Sequence, residues 1–220
     1  MNEKPILSII MVSLAEDEYR LDLLKDTLKS LKESITIPYE FIVIDNGNSE
    51  QTKILEDSFA DIIIKNEINK GIGYGWNQGF EASSGRYISL IDNDLLFAKG
   101  WAEDCIELLE KYPNEKIVAT AFASSHQHCH KWFVGKLGDN YLWDRCGTAG
   151  SVFRREMVDV VGKWQTHPVP GKYWVNQLSR RKWRFISLLV PKIVHRGLVR
   201  SYNPDKLMIG GKWHKEWKIS

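Results

Sequence analysis

Apolar residues in this 220-residue chain gather in short continuous runs separated by amphipathic stretches. The first run, "ILSIIMVSL" over 6–14, is rich in β-branched residues, as expected of a strand covered on both faces. Leu21, Leu24, Leu28 and Leu31 follow at spacings of three, four and three, which is one face of an amphipathic helix. "EFIVIDNGNS" (40–49) predicts a second buried strand, closed by Asp45 and a turn-forming Asn-Gly pair. A short helix over "EQTKILEDSF" and a strand over "DIIIKN" (61–66) come next. The glycine-punctuated "NKGIGYGWNQGFEASSG" (69–85) predicts a loop running into a helix. "GRYISLIDNDLLF" (85–97) is a buried strand that breaks at Asp92-Asn93-Asp94. A helix around "GWAEDCIELLEKYP" and a strand over "KIVATAFA" (116–123) complete the regular part.

The rhythm stops near Ala123. Residues 124–145 read as irregular, "CGTAGSVFRREMVDVVG" as a strand then a helix, and 163–192 as an aromatic, basic stretch. "PKIVHRGLV" gives one last strand-like segment, with His195 in it. Strands alternating with helices imply βαβ units and a parallel sheet, and right-handed crossovers put helices on both faces. Ligands of such sheets sit at the carboxyl ends of the strands. Asp45, Asn69 and Asp92-Asn93-Asp94 all lie just past strand ends, so they should converge on one edge. With no internal repeat, low-complexity tract or linker, one domain is the simplest organisation.

The glycines do not form a dinucleotide fingerprint. From Gly71 or Gly73 the GxGxxG spacing requires a glycine where Trp76 or Gln78 stands, and no GxxxxGK[ST] phosphate loop occurs. Asp92 and Asp94 are the stronger chemistry. Residues i and i+2 at a strand end can point the same way, and two such carboxylates repel unless a cation or donors sit between them. A hard divalent ion, Mg²⁺ or Mn²⁺, suits that position; a polar strand-to-loop turn is the alternative.

Composition is that of a globular protein, with 43% hydrophobic and 26% charged residues, and no apolar run approaches the roughly 20 residues that span a bilayer. The start, "MNEKPILSIIMV", carries no signal-peptide pattern, so a cytoplasmic protein is expected. Cys105, Cys129 and Cys146 are odd in number and widely spaced, which argues against a disulfide framework. "SSHQHCHKW" (124–132) places His126, His128 and His130 on one strand face, open to metal binding, acceptor contacts or plain exposure. Charge is lopsided: residues 163–220 hold 13 Lys/Arg against 2 acids, although the whole chain is only +2. With Trp164, Trp174, Trp183, Trp213 and Trp217, that basic quarter suggests an anionic partner such as a membrane face or a phosphate-bearing substrate. Peripheral membrane contact is one expectation and a solvated basic face the alternative, with binding to anionic vesicles at low salt as the measure. Nucleic acid is not expected.

Four features in order resemble the GT-A glycosyltransferases of family 2. They are "LSIIMVSL", "IVIDNGNS", the long "NKGIGYGWNQGFEASSGRYISLIDND", and "CGTAGSVFRREMVDVVG". The third is similar to the family's N-x-G…N-x-G…A-x-G-x-Y-x-x-x-x-D-x-D signature, and the resemblance covers about 5–200. It implies a GT-A (Rossmann-like) α/β fold: a mixed, mostly parallel sheet flanked by helices, in one domain. Residues 1–123 would form the donor half, 124–200 the acceptor half and 201–220 a basic tail. It further implies a metal-dependent, inverting transfer of a sugar from a UDP-, GDP- or dTDP-sugar to a hydroxyl of a glycan or lipid-linked acceptor. Asp45 would accept from the nucleobase, and the loop from Asn69 through Gly71 would pass the nucleotide. Ser13, Asn77, Asp92 and Asn93 complete the implied donor site. Asp94, with Asp92 and His195, would hold Mn²⁺ or Mg²⁺.

One departure stands out. The family supplies its general base from a Glu-Asp pair between the Arg-Arg-Glu element and the histidine, and "GKYWVNQLSRRKW" there contains no acid. Asp144, just before the strand expected to border the acceptor, is the substitute candidate. The departure also keeps alive a non-catalytic nucleotide-sugar or glycan-binding protein of the same fold. A nucleotidyltransferase would want a glycine-rich turn after the first strand, which "VSLAEDEYR" lacks.

Overall fold

The computed structural model describes residues 4–47, 49–121, 132–165 and 170–196, and the backbone of 207–209 and 212–214. β1 (Leu7–Ser13) lies between β2 (Tyr39–Asp45) and β4 (Tyr87–Ile91), parallel to both, with β3 (Ile62–Lys65) parallel to β2. β9 (Ser151–Arg154) runs antiparallel between β4 and β6 (Ile117–Thr120). β10 (Arg184–Ser187) is parallel to β6, and the hairpin of β7 (Phe133–Leu137) and β8 (Asn140–Trp143) closes that side. The nine-stranded order is β3-β2-β1-β4-β9-β6-β10-β8-β7, and only β9 and β8 run against the rest. This is the mixed, mostly parallel sheet expected.

Helices cover both faces. Leu21, Leu24, Leu28 and Leu31 of α1 (Glu18–Ser34) pack on one face, with Leu55 of α2 (Ser49–Glu56) and Trp101, Cys105 and Leu109 of α4 (Trp101–Lys111). The other face buries Trp76 of α3 (Ile72–Ala82), Met157 and Val161 of α5 (Glu156–Val161), and Trp174 and Leu178 of α6 (Pro170–Arg180). α1 starts where the leucine spacing says it should, because Asp17 accepts from Arg20 N at 2.8 Å and caps it.

The glycines around α3 divide by purpose. Gly71 turns the chain at φ +83°. Gly75 and Gly79 let the helix lie against the sheet, since a Cβ there would stand 2.7 Å from Val12 and 2.3 Å from Ile10. Two further pairs fall outside the main sheet: β11 (Ile193–His195) with β5 (Leu95–Phe97), and β12 (Leu207–Ile209) with β13 (Lys212–His214).

The sequence reading missed four elements. The stretch read as irregular holds the β7–β8 hairpin, and the aromatic, basic stretch holds α6 and β10. The arginine pair after β9 is divided between two tasks. Buried Arg154 donates to the carbonyls of Leu109, Tyr112 and Glu115, closing the end of α4. Arg155 donates to Gly85 O at 2.6 Å and Ser83 Oγ at 2.8 Å, which fixes the α3–β4 junction.

Candidate active site

The parallel register aligns the carboxyl ends of β1, β2 and β4, with Ser13 opposite Asp45 and Met11 opposite Ile91. Just beyond them opens a cleft of about 360 Å³ lined by Val12, Leu14, Asn46, Asn69, Gly71, Ile72, Asp92, Asn93 and Asp94. The antiparallel β5–β11 register sets His195 against Leu95, the residue after Asp94, and Arg196 N donates to Asp94 O at 2.8 Å. His195 Nε2 therefore stands 3.4 Å from Asp92 Oδ2 and 3.4 Å from Asp94 Oδ1. One ligand atom from each of the three lies within 4.8 Å of the other two.

Electrostatics mark the same trio. Burial pushes the Asp94 carboxyl above its ordinary value, only partly offset by His195. Burial works against a charged His195, yet the Asp92 carboxylate beside it and the charge of Asp94 hold its pKa above the usual imidazole value. Asp94 Oδ1 is buried and accepts no hydrogen bond. A buried carboxylate oxygen left open, beside a second carboxylate and an imidazole, fits a divalent cation of the Mn²⁺ or Mg²⁺ kind.

The amino end of α3 also faces the cleft. Asn69 Oδ1 accepts from Gly71 N at 2.8 Å, shaping the turn before the helix, and the first helical turn carries no acid. The unpaired N–H groups of such an end favour an anion.

Residues 8–162, well over half of the chain, match the family model described as Glycosyl transferase family 2. The chain belongs to that family. The glucosyl-dolichyl phosphate glucuronosyltransferase of Haloferax volcanii is 25% identical over 112 residues, which are 49% of this chain and 35% of that protein. Among solved structures, GalNAc-T7 with UDP, GalNAc and Mn²⁺ aligns with a TM-score of 0.66 at 12% identity, covering 89% of this chain and 44% of that one. The mannosyltransferase PcManGT from Pyrobaculum calidifontis, in complex with GDP-Man and Mn²⁺, gives 0.66 at 13% identity, covering 88% and 57%. These likenesses establish the GT-A fold. The chain spans about a third of the length of the Haloferax relative and about half of each solved chain.

In this family 2 chain the structure brings Asn69, Gly71, Asp92, Asn93, Asp94 and His195 to the cleft or its edge. Ser13 lies beneath it, fully buried, and accepts from Asn93 Nδ2 at 2.9 Å. Asp45 stands at the same edge but turns inward, where its oxygens accept from Gly47 N at 2.9 Å, Gln51 Nε2 and Thr52 Oγ1. Asn77 is engaged elsewhere: it accepts from Trp164 N at 3.0 Å and donates to Trp164 O at 2.7 Å, tying α3 to the segment after α5.

Asp144 is not brought to the cleft. β8 runs against β10, so Asp144 sits beside the amino end of β10, while the cleft lies at the carboxyl ends of β1, β2 and β4. There it pairs with Arg184 Nη1 at 2.9 Å and accepts from Ser179 Oγ at 2.7 Å. His126, His128 and His130 lie outside the described residues, as does most of the basic tail. No helix among the described residues is long and apolar enough to cross a membrane.

Sequence reasoning missed Gln51, whose amide joins the ends of β1 and β2. The available signal was positional. Gln51 lies four residues before Leu55, on the buried face of a short helix where a polar side chain needs partners.

Proposed function

We propose that this chain is a metal-dependent glycosyltransferase that moves a sugar from a nucleotide diphosphate donor to a hydroxyl of a glycan or lipid-linked acceptor, with inversion. The observation that carries the reading is the convergence of Asp92, Asp94 and His195 beside the cleft. Family membership supports it, as do the nucleotides and Mn²⁺ held by the solved proteins of the same fold.

Asp92, Asp94 and His195 would hold the ion. When bound, it supplies positive charge against the negative charge that grows on the departing nucleoside diphosphate. The backbone N–H groups at the amino end of α3 would take the phosphates, and Gly71 lets the chain turn there without a side chain in the way. Arg196, the residue after His195, is paired with Asp26 of α1. Asp92 and Asp94 are the carboxylates lining the cleft. Asp144 is committed to Arg184 and Ser179, so the base that inversion requires is not assigned to it.

Calorimetric titration of UDP, GDP and dTDP, with and without Mn²⁺, tests the reading. We expect one nucleotide to bind in a Mn²⁺-dependent way and the binding to vanish in Asp94→Ala. Failure of every nucleotide under both conditions would overturn the donor site. Metal-dependent binding with no turnover of any nucleotide sugar would instead make the chain a binding protein.

A further inference from the structure

We infer that Gln51 is a positioning residue that couples the Asp45 end of the cleft to the turn carrying Asp92 and Asp94. Gln51 is fully buried, as is Ser13. Its Oε1 accepts from Ser13 Oγ at 3.0 Å and from Ala15 N. Its Nε2 donates to Asp45 Oδ1 and, at 3.3 Å, to Ser13 O. Two donors and two acceptor positions are all a side-chain amide has, so every one is engaged.

The relay continues through Ser13. Its Oγ donates to Gln51 and accepts from Asn93 Nδ2 at 2.9 Å, and Asn93 stands between the two candidate metal ligands. One amide on α2 thus fixes the ends of β1 and β2 directly and the end of β4 through a single hydroxyl. Gly47 guards the arrangement. A Cβ there would stand 2.3 Å from Gln51 Nε2, and the backbone at Gly47 is not in the left-handed region, so the small residue serves the glutamine rather than the turn.

Groups that orient metal ligands set metal affinity: loss of such a partner typically costs 10–100-fold. Gln51→Met keeps the length and removes the amide. Gly47→Ala keeps the amide and displaces it. Both are expected to weaken Mn²⁺ binding, read by electron paramagnetic resonance of free Mn²⁺, by about tenfold or more. Both should also shift the Asn93 side-chain amide resonance in the ligand-free protein. Ser13→Ala, which cuts the relay at its middle, stands in if Gln51→Met does not fold.

A residue that is only structural would lower the melting temperature and leave Mn²⁺ affinity at 25 °C and the Asn93 resonance where they were. That result in both variants overturns the inference. The metal arm rests on the donor-site reading. If the wild-type protein binds neither Mn²⁺ nor a nucleotide, that reading falls, and the Asn93 resonance alone decides the relay: a shift sustains it, an unmoved signal overturns it.

Discussion

Lys182 has φ +62°, the one left-handed conformation of a non-glycine among the described residues. It closes α6. Lys182 N donates to Ser179 O at 3.0 Å, and Trp183 N donates to Leu178 O at 3.0 Å. Glycine is the usual occupant of that position, because an L side chain crowds the following carbonyl. Lys182→Gly relieves that crowding but frees the unfolded chain, so the net gain should be about 0.5–1 kcal/mol. Urea unfolding checks it, and an unchanged midpoint would mean the lysine side chain offsets its backbone cost. Polar residues also divide by how visible they were. Asp92, Asp94 and His195 could be read from strand ends and from the family resemblance. Asn77 and Gln51 could not be placed, because an amide on a helix looks the same whether it faces solvent, a backbone segment or a buried carboxylate.

The elements before Ala121 were legible because apolar runs alternate there with amphipathic helices, so that even β3 and β6, four residues each, stand out. After it, β9, α5 and β11 were still read from apolar runs, while β7, β8, α6 and β10 were not. β8 has four residues with polar and aromatic side chains mixed, and α6 buries Trp174, Val175 and Leu178 among cations and tyrosine, too brief a stripe to declare its period. Junctions between elements rest on polar anchors instead. Glu40 on β2 accepts from Ser8 Oγ at 2.6 Å, Gly85 N at 3.0 Å, and Ser84 through both N and Oγ. Burial alone would push this carboxyl up, but the four donors outweigh it and hold its pKa below the ordinary 4.5. A depressed folded value means the contribution is present above the unfolded pKa and is lost as pH falls through the folded one. Glu40→Gln keeps an acceptor but not the charge, so it should cost about 1 kcal/mol at pH 7. That difference should close as the pH drops below 4.5. A gap independent of pH would show that shape, not charge, ties β2 to the α3–β4 junction.

At the scale of the molecule, the alternation of strands and helices foretold a sheet whose carboxyl edge would be the working side, and the cleft opens there. What no local pattern could tell was the far end of the sheet. β8 returns antiparallel to β10, which carries Asp144 to the opposite margin. His195 is likewise far along the chain from Asp92 and Asp94 and meets them only through β11. β11 pairs with β5 in a two-stranded ladder of its own rather than with the nine-stranded sheet. An ion shared by Asp94 and His195 would therefore act as a cross-link closing a loop of about a hundred residues, and closures of that length constrain a chain most. Mn²⁺ should slow cleavage of the segment between β10 and His195 by a protease, and Asp94→Ala should abolish that protection. Equal cleavage with and without Mn²⁺ would show that β11 is held by its pairing with β5 alone. If the protection is found, metal supply governs how long the chain survives.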